Sequence, residues 1–418
     1  MHKRDNLKVN IASGLIYQVS ILLSPLITLP YLARVLDTGS IGLLAYSWAI
    51  TQYIILIVEY GFNLTGIKYA NEIEKDSWSM DSLFSNIFFA RLFLTIGCGT
   101  VLCVVIVCNH LPKDQVLIYF GYFLQVFSTV FVSQWYYRFI EKIKLLLIPA
   151  SLAFIFIPIL TYIFVTNTGD VYLVAIIQGT TNLLSSILAF FYLFKKTFIK
   201  KLHFSIRGIV DVLKKSFNIF IANISFSIYA ASPPIVLAFI SNLHEVALFS
   251  VASRIRAVGV GFLLPIANVL YSKVNREIVN KNWNVINKIS LTFVFLTFIV
   301  SVVIFVFSKF IVMTLLGSKY LDAVFLVRLF SFVIFLVALN TYFSQSIILS
   351  LGLDKLYSRI PVFCTIIFSI VIYPLVKNYD ALGAVIGILI VEIFSFMLII
   401  SSVILIYKPI LKKGDIDA

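Results

Sequence analysis

Apolar residues form long runs that recur along the whole chain, separated by short polar segments. A helix of about twenty apolar residues is long enough to cross a hydrocarbon core of about 30 Å. The connectors between the runs are too short to form a soluble domain. We therefore predict twelve membrane spans, at about residues 10–33, 41–65, 83–108, 115–138, 146–166, 171–194, 217–240, 246–270, 289–312, 323–350, 358–376 and 381–407.

An internal repeat relates the first six predicted spans to the last six. Stretches near residues 10–78 reappear near residues 218–283, and the matched pairs include Ser24 with Ser232, Pro25 with Pro233, Asn63 with Asn268, and Trp78 with Trp283. Because six spans per half is an even number, both halves enter the membrane the same way up. The repeat predicts an N-terminal six-helix lobe at 1–194, a basic cytoplasmic linker at 195–216 and a C-terminal six-helix lobe at 217–418.

A duplicated membrane chain is a common ground plan of secondary transporters. The expected fold is an all-α polytopic membrane protein, with twelve transmembrane helices in two parallel six-helix lobes around a central cavity. The favoured function before any single residue is discussed is therefore transport by alternating access.

The distribution of basic residues predicts the orientation. Of the 33 lysines and arginines, most fall in connectors that share one side with the N-terminus, whereas the connectors of the other side hold Arg34, Lys113, Lys309, Lys319 and Lys377. By the positive-inside rule, both termini are expected in the cytoplasm. The net charge of +14 then reflects contact with anionic membrane lipids, and nucleic acid is not an expected partner.

Charged residues inside the spans are costly and usually face a cavity or a partner. Arg91, Arg254 and Arg256 lie deep in the third and eighth predicted spans. Their guanidinium groups suit phosphate oxygens, so we expect a cationic lumen that binds an anionic substrate. The alternative is that Arg91 forms a structural ion pair with Glu59 or Glu392.

The two acidic residues of the spans, Glu59 and Glu392, are candidates for coupling to a proton or sodium gradient. No other cofactor is expected. The four cysteines lie in apolar segments without a CxxC pair, so no metal site is expected either.

Prolines lie at repeat-equivalent places, Pro25 and Pro30 in the first span and Pro233 and Pro234 in the seventh. Proline removes a backbone donor and kinks a helix. The functional interpretation is a pair of bent helices that act as hinges between inward and outward states. The alternative is ordinary kinking in a large helical bundle.

The segment Ser24-Pro25-Leu26-Ile27-Thr28-Leu29-Pro30-Tyr31-Leu32-Ala33-Arg34-Val35-Leu36 resembles the signature of Wzx-type O-antigen flippases. These belong to the polysaccharide transport family, in the MOP superfamily that also contains MATE multidrug exporters and the lipid II flippase. The string Glu59-Tyr60-Gly61-Phe62 is similar to that family as well. Asp37 departs from it, because the family pattern has glycine at that place.

The resemblance implies a substrate that composition alone does not indicate. It is an undecaprenyl-pyrophosphate-linked oligosaccharide repeat unit, flipped from the cytoplasmic to the periplasmic leaflet of a bacterial inner membrane. The resemblance also implies a V-shaped, MATE-like bundle, and other polysaccharide assembly proteins are expected partners.

Three alternatives stay open at this point. A lipid II or teichoic-type flippase would also carry a lipid phosphate. A MATE multidrug exporter would favour cationic cargo, which the excess of deep arginines disfavours. A membrane polysaccharide polymerase or glycosyltransferase would need converging acid–base groups at one membrane face, and the short outer connectors offer none. We therefore expect a transporter and not an enzyme.

Overall fold

The computed structural model describes residues 20, 24–72, 80–195, 199, 201–280, 282–351 and 353–414. Within these ranges the regular elements are helices, and no strand occurs among them. The helices are α1 (24–35), α2 (Thr38–Glu59), α3 (Phe62–Glu72), α4 (Met80–Cys108), α5 (Lys113–Phe131), α6 (Gln134–Phe139), α7 (Leu147–Phe164), α8 (Val171–Lys195), α9 (Ile206–Ala231), α10 (Pro233–Ile240), α11 (Leu243–Val279), α12 (Trp283–Leu316), α13 (Ala323–Phe343) and α14 (Asp354–Gly414). The all-α class predicted from the sequence is confirmed.

Nine segments of the described residues are long and apolar enough to cross a membrane. The last of them, Arg359–Ile404, holds 46 residues and covers two predicted spans. Its helix is interrupted between these two spans at Asp380, where φ is 49°. The first predicted span, 10–33, lies largely outside the described residues. The chain is a multi-pass helical membrane protein, and the exact number of twelve spans stays a prediction.

The chain divides between Ser227 and Ile228 into two compact units, here called unit 1 and unit 2. This division falls within helix α9, because α9 runs without interruption from Ile206 to Ala231. The predicted basic linker, 195–216, therefore includes the first residues of a helix.

Helices α5 and α8 of unit 1 are in contact through their backbones. A Cβ atom added to Gly179 would lie 1.8 Å from the carbonyl oxygen of Gly121, and one added to Gly121 would lie 2.5 Å from the carbonyl carbon of Ala175. Small residues allow membrane helices to approach this closely. Any side chain at Gly121 or Gly179 would push the two helices apart.

Connectors that were predicted on the same side of the membrane contact each other within each unit. In unit 1 the hydroxyl of Tyr31, near the end of α1, donates to the carbonyl oxygen of Val165 after α7 at 2.7 Å. In unit 2 the hydroxyl of Ser241 donates to Asp380 Oδ1 at 2.5 Å, and the amide of Ala381 donates to Glu245 Oε2 at 3.2 Å.

Three helices are interrupted inside apolar segments. Between α2 and α3 the chain passes through Tyr60 and Gly61, with φ values of 44° and 77°. Helix α5 ends at Phe131 and α6 begins at Gln134, while α9 gives way to α10 at Ser232. Each interruption leaves backbone carbonyls without their usual helical donors, and these must find other partners inside a membrane.

Candidate functional site

Arg91, on α4, is one of the largest fully buried side chains of unit 1, with 1% of its surface exposed. Its Nη1 donates to the carbonyl oxygens of Thr129 and Val132, both at 3.2 Å. These two carbonyls belong to the C-terminal end of α5, where the last helical acceptors lack partners. Arg91 therefore stabilises the interruption between α5 and α6.

Asn63 connects Arg91 to the other interruption of unit 1. The Nη2 of Arg91 donates to Asn63 Oδ1 at 3.3 Å, and Asn63 Nδ2 donates to Glu59 Oε1 at 3.2 Å. The guanidinium also lies 5.9 Å from the centre of the Phe62 ring, and the Glu59 carboxylate favours its positive charge. Glu59 ends α2 and Asn63 lies in the first turn of α3, so the cluster spans the interruption at Tyr60 and Gly61.

The cluster of Glu59, Asn63 and Arg91 thus ties two helix interruptions together within unit 1. This arrangement resembles the structural alternative considered for Arg91, with Asn63 placed between the two charged groups. Most of the hydrogen-bonding capacity of the guanidinium is used by its own unit.

The second cluster lies in unit 2 around Arg256, on α11. Its guanidinium lies 5.5 Å from the centre of the Phe330 ring. Glu392, on α14, is buried, with 7% of its surface exposed, and lies near enough to Arg256 for their charges to interact. Tyr229, near the end of α9, also interacts electrostatically with Arg256 and Glu392.

Asn340, on α13, holds Glu392 in place. Its Nδ2 donates to Glu392 Oε2 at 2.8 Å and to the carbonyl oxygen of Glu392 at 3.1 Å. Two polar atoms of the cluster are buried without a hydrogen-bond partner among the described residues, Asn340 Oδ1 and Arg256 Nε. A buried polar group without a partner costs about 1–3 kcal/mol, so this cluster retains capacity to bind a ligand or an ion.

Arg254 lies two residues before Arg256 on the same helix and is half-buried. Two residues correspond to about 200° around a helix, so the two side chains leave α11 on different sides. Arg254 and Arg256 therefore do not form one compact cationic site.

The four candidate hinge prolines differ in their setting. Pro25 and Pro30 both lie within the helix 24–35. Pro233 and Pro234 are the first two residues of α10, directly after the interruption at Ser232. Because proline has no N–H group, the carbonyl of Tyr229 loses its helical donor close to the cluster of unit 2.

Sequence reasoning did not select Asn63 or Tyr229 as site residues. A polar side chain inside an apolar span was the available signal, but it does not say which way the side chain points. Across the described ranges, no three His, Cys, Asp or Glu side chains converge to hold a metal ion.

Comparison with known families and proteins identifies the relatives of this chain. The family model described as "Polysaccharide biosynthesis protein" matches residues 7–271, which is more than half of the chain. A protein of Escherichia coli (strain K12) named "Putative O-antigen transporter" is 26% identical over 390 residues, covering 93% of this chain and 94% of that protein. A protein of Shigella dysenteriae with the same name is 24% identical over 386 residues, covering 91% of this chain and 96% of that protein.

Solved structures share the fold. The lipid II flippase MurJ, in an inward closed conformation, has a TM-score of 0.73 at 16% identity, covering 94% of this chain and 87% of that one. An inward-facing multidrug resistance MATE family transporter of the MOP superfamily has a TM-score of 0.68 at 16% identity, covering 94% and 99%. The expected MATE-like fold is confirmed at the level of this similarity. The relatives are named as transporters, which confirms the expectation of a transporter and not an enzyme.

Proposed function

Because the chain belongs to the family of polysaccharide biosynthesis proteins, we propose that it flips an undecaprenyl-pyrophosphate-linked O-antigen or polysaccharide repeat unit across the membrane. The direction is from the cytoplasmic to the periplasmic leaflet of a bacterial inner membrane. The observation that carries the proposal is similarity along 93% of the chain to a protein named as an O-antigen transporter. The membrane-spanning helices support it, as do Arg254 and Arg256 within one of them.

Arg256 is the proposed anchor for the pyrophosphate. Its charge is permanent, and the planar guanidinium can donate two parallel hydrogen bonds to phosphate oxygens. The buried Nε lacks a partner among the described residues, so it is a donor that a phosphate could occupy. Arg254 is the proposed second cation, on the other side of α11. Arg91 is proposed to stabilise the interrupted helices of unit 1 and not to bind the substrate.

Glu392 is the proposed coupling group. When it is ionised, its carboxylate would partly balance the charge of Arg256. A proton or a sodium ion that neutralises Glu392 would leave the positive charge of Arg256 available to the substrate anion. In this scheme the ion gradient changes the affinity of the site for the substrate anion. The bend at Pro233 and Pro234 allows α9 and α10 to change their relative orientation.

The proposal is tested with purified protein in liposomes that contain a fluorescent lipid-linked oligosaccharide in one leaflet. We expect the labelled lipid to become accessible to a membrane-impermeant reductant faster than in protein-free liposomes. Lipid II and a cationic dye serve as the alternative substrates in parallel samples. Transport of the dye or of lipid II without transport of the oligosaccharide would contradict the proposal.

The orientation is part of the same proposal, with both termini in the cytoplasm. In a variant without the four native cysteines, single cysteines at positions 113 and 319 should react with an impermeant maleimide added to whole cells whose outer membrane is permeabilised. A single cysteine at position 201 should react only after the inner membrane is opened. The reverse pattern of labelling would contradict the topology.

A further inference from the structure

Unit 1 contains a groove that plays no part in the proposed transport step. It lies between Tyr60 and one side of α9, is lined by Tyr60, Val210, Leu213, Lys214 and Phe217, and has a volume of about 290 Å³. Four of its lining side chains present carbon atoms and one carries an ammonium group. The groove is therefore amphipathic, with an apolar wall and a cationic edge.

The first half of α9 has the pattern of a helix at a membrane surface. Ile209 and Val212 are buried in the core of unit 1, together with Phe84 of α4. On its other sides the helix exposes Val210 and Phe217, which are 40% and 49% exposed. Exposed apolar side chains beside basic ones are typical of helices that lie in the interface between headgroups and acyl chains.

Basic residues surround the groove. Helix α9 carries Arg207, Lys214 and Lys215 against a single acidic residue, Asp211. The ammonium groups of Lys215 and of Lys68 on α3 lie 4.5 and 5.6 Å from the centre of the Tyr69 ring, so α3 adds to the same positive region. This charge is complementary to an acidic headgroup.

We propose that the groove binds a phospholipid with an anionic headgroup, such as phosphatidylglycerol. One acyl chain lies along Val210, Leu213 and Phe217, and the phosphate lies at Lys214. This inference rests on the proposed orientation, in which the groove faces the cytoplasmic leaflet, where anionic phospholipids are abundant acidic ligands.

The bound lipid would act on the interruption between α2 and α3. Tyr60 forms one wall of the groove and has a left-handed backbone, with φ 44°. Its ring stacks on Phe220 of α9, with ring centres 4.2 Å apart and an angle of 15° between the planes. A lipid in the groove therefore stabilises the arrangement in which α9 packs against Tyr60.

The test uses full-length protein in detergent, with native mass spectrometry at increasing concentrations of phosphatidylglycerol or phosphatidylcholine. Each basic residue near a membrane surface changes the affinity by about fivefold, so Lys214→Gln combined with Lys215→Gln should weaken phosphatidylglycerol binding by about tenfold or more. Lys288→Gln, an exposed lysine of α12 in unit 2, is the matched control and should leave binding unchanged. Val210→Trp, which fills the groove, should reduce retention of the lipid while all basic residues remain.

Several results would overturn the proposal. Equal retention of phosphatidylglycerol by wild type and by the double lysine variant would exclude the headgroup contact. Equal binding of phosphatidylcholine would exclude selection by charge. Displacement of the lipid by inorganic phosphate would indicate an anion site without an acyl chain, and displacement at lower concentration by undecaprenyl phosphate would assign the groove to the transported lipid.

Discussion

Two arginines inside apolar helices, Arg91 in unit 1 and Arg256 in unit 2, differ in how the terminal nitrogens of their guanidinium groups are bonded. Arg91 donates to two backbone carbonyls and to Asn63, at the points where helices of unit 1 are interrupted. The Nε atom of each arginine is buried without a partner among the described residues, and Arg256 lies against the Phe330 ring beside Glu392. A deep positive charge is therefore not by itself evidence of a binding site; the state of its donors is more informative.

The internal repeat allows the surroundings of Arg91 to be compared with the matched place in the second half. At the shift that matches Asn63 with Asn268, Glu59 corresponds to Leu264 and Tyr60 to Pro265. Helix α11 continues through Pro265, whereas the chain leaves the helical conformation at Tyr60. At the matched place in the second half, the described residues thus form neither this interruption nor its polar cluster.

Among the variants considered, Arg91→Ala should have the largest effect, which is a loss of stability. The substitution removes a donor from the carbonyls of Thr129 and Val132 and from Asn63 Oδ1 inside an apolar region, and Val132 keeps only its bond from the amide of Gln134, so a cost of about 3 kcal/mol is expected. We expect less protein in the membrane fraction and a melting temperature in detergent lower by about 5 °C or more. If melting were unchanged while transport was lost, Arg91 would belong to the substrate site after all.

Arg256→Ala should produce the opposite combination. Loss of the proposed phosphate anchor should reduce flipping by more than about tenfold, since a charge-assisted hydrogen bond contributes about 1.5–3 kcal/mol. The melting temperature should fall less than in Arg91→Ala, because no hydrogen bond of Arg256 Nε is lost and Glu392 keeps its bonds to Asn340. Arg256→Lys should retain part of the activity. Normal flipping by the alanine variant at normal protein level would remove Arg256 from the site.

Asn63→Leu should have a smaller effect on stability than Arg91→Ala. It removes the bridge between Arg91 and Glu59 but leaves the bonds of Arg91 to the α5 carbonyls, so a cost of about 1–2 kcal/mol is expected. Asn268→Leu, at the repeat-equivalent and exposed position, is the matched control and should not change melting. The double variant of Asn63 and Arg91 should be no less stable than Arg91→Ala alone, and simple addition of the two losses would contradict the proposed network.

Glu392→Gln should change the response to a gradient more than the maximal rate. Glutamine can still accept the hydrogen bond from Asn340 Nδ2, but it carries no charge to balance Arg256. We expect a change of a few-fold in flipping, comparable to about 1 kcal/mol, together with loss of stimulation by an imposed proton or sodium gradient. A variant that responds to the gradient like the wild type would exclude Glu392 as the coupling group.

Hydropathy alone predicted several span bounds closely, as in 83–108 against Met80–Cys108 and 115–138 against Lys113–Phe139. The interruption before α10 was also indicated, because Pro233 and Pro234 lack an N–H group. The interruptions at Tyr60 and after Phe131 were not. At both, Arg91 bonds to residues distant in the chain, and its carbonyl acceptors lie 38 and 41 residues away. Which side chain meets which carbonyl depends on helix rotation, and hydropathy carries no information about that angle.

The backbone contact between Gly121 and Gly179 has a practical consequence for following the protein through its cycle. Because α5 and α8 pack backbone against backbone here, we expect the two helices to move as one body. A pair of spin labels at exposed positions on α5 and α8 would thus have a constant separation, which makes it an internal ruler. Distances measured elsewhere in the chain can be calibrated against it, so that true displacement is distinguished from tumbling of the labels.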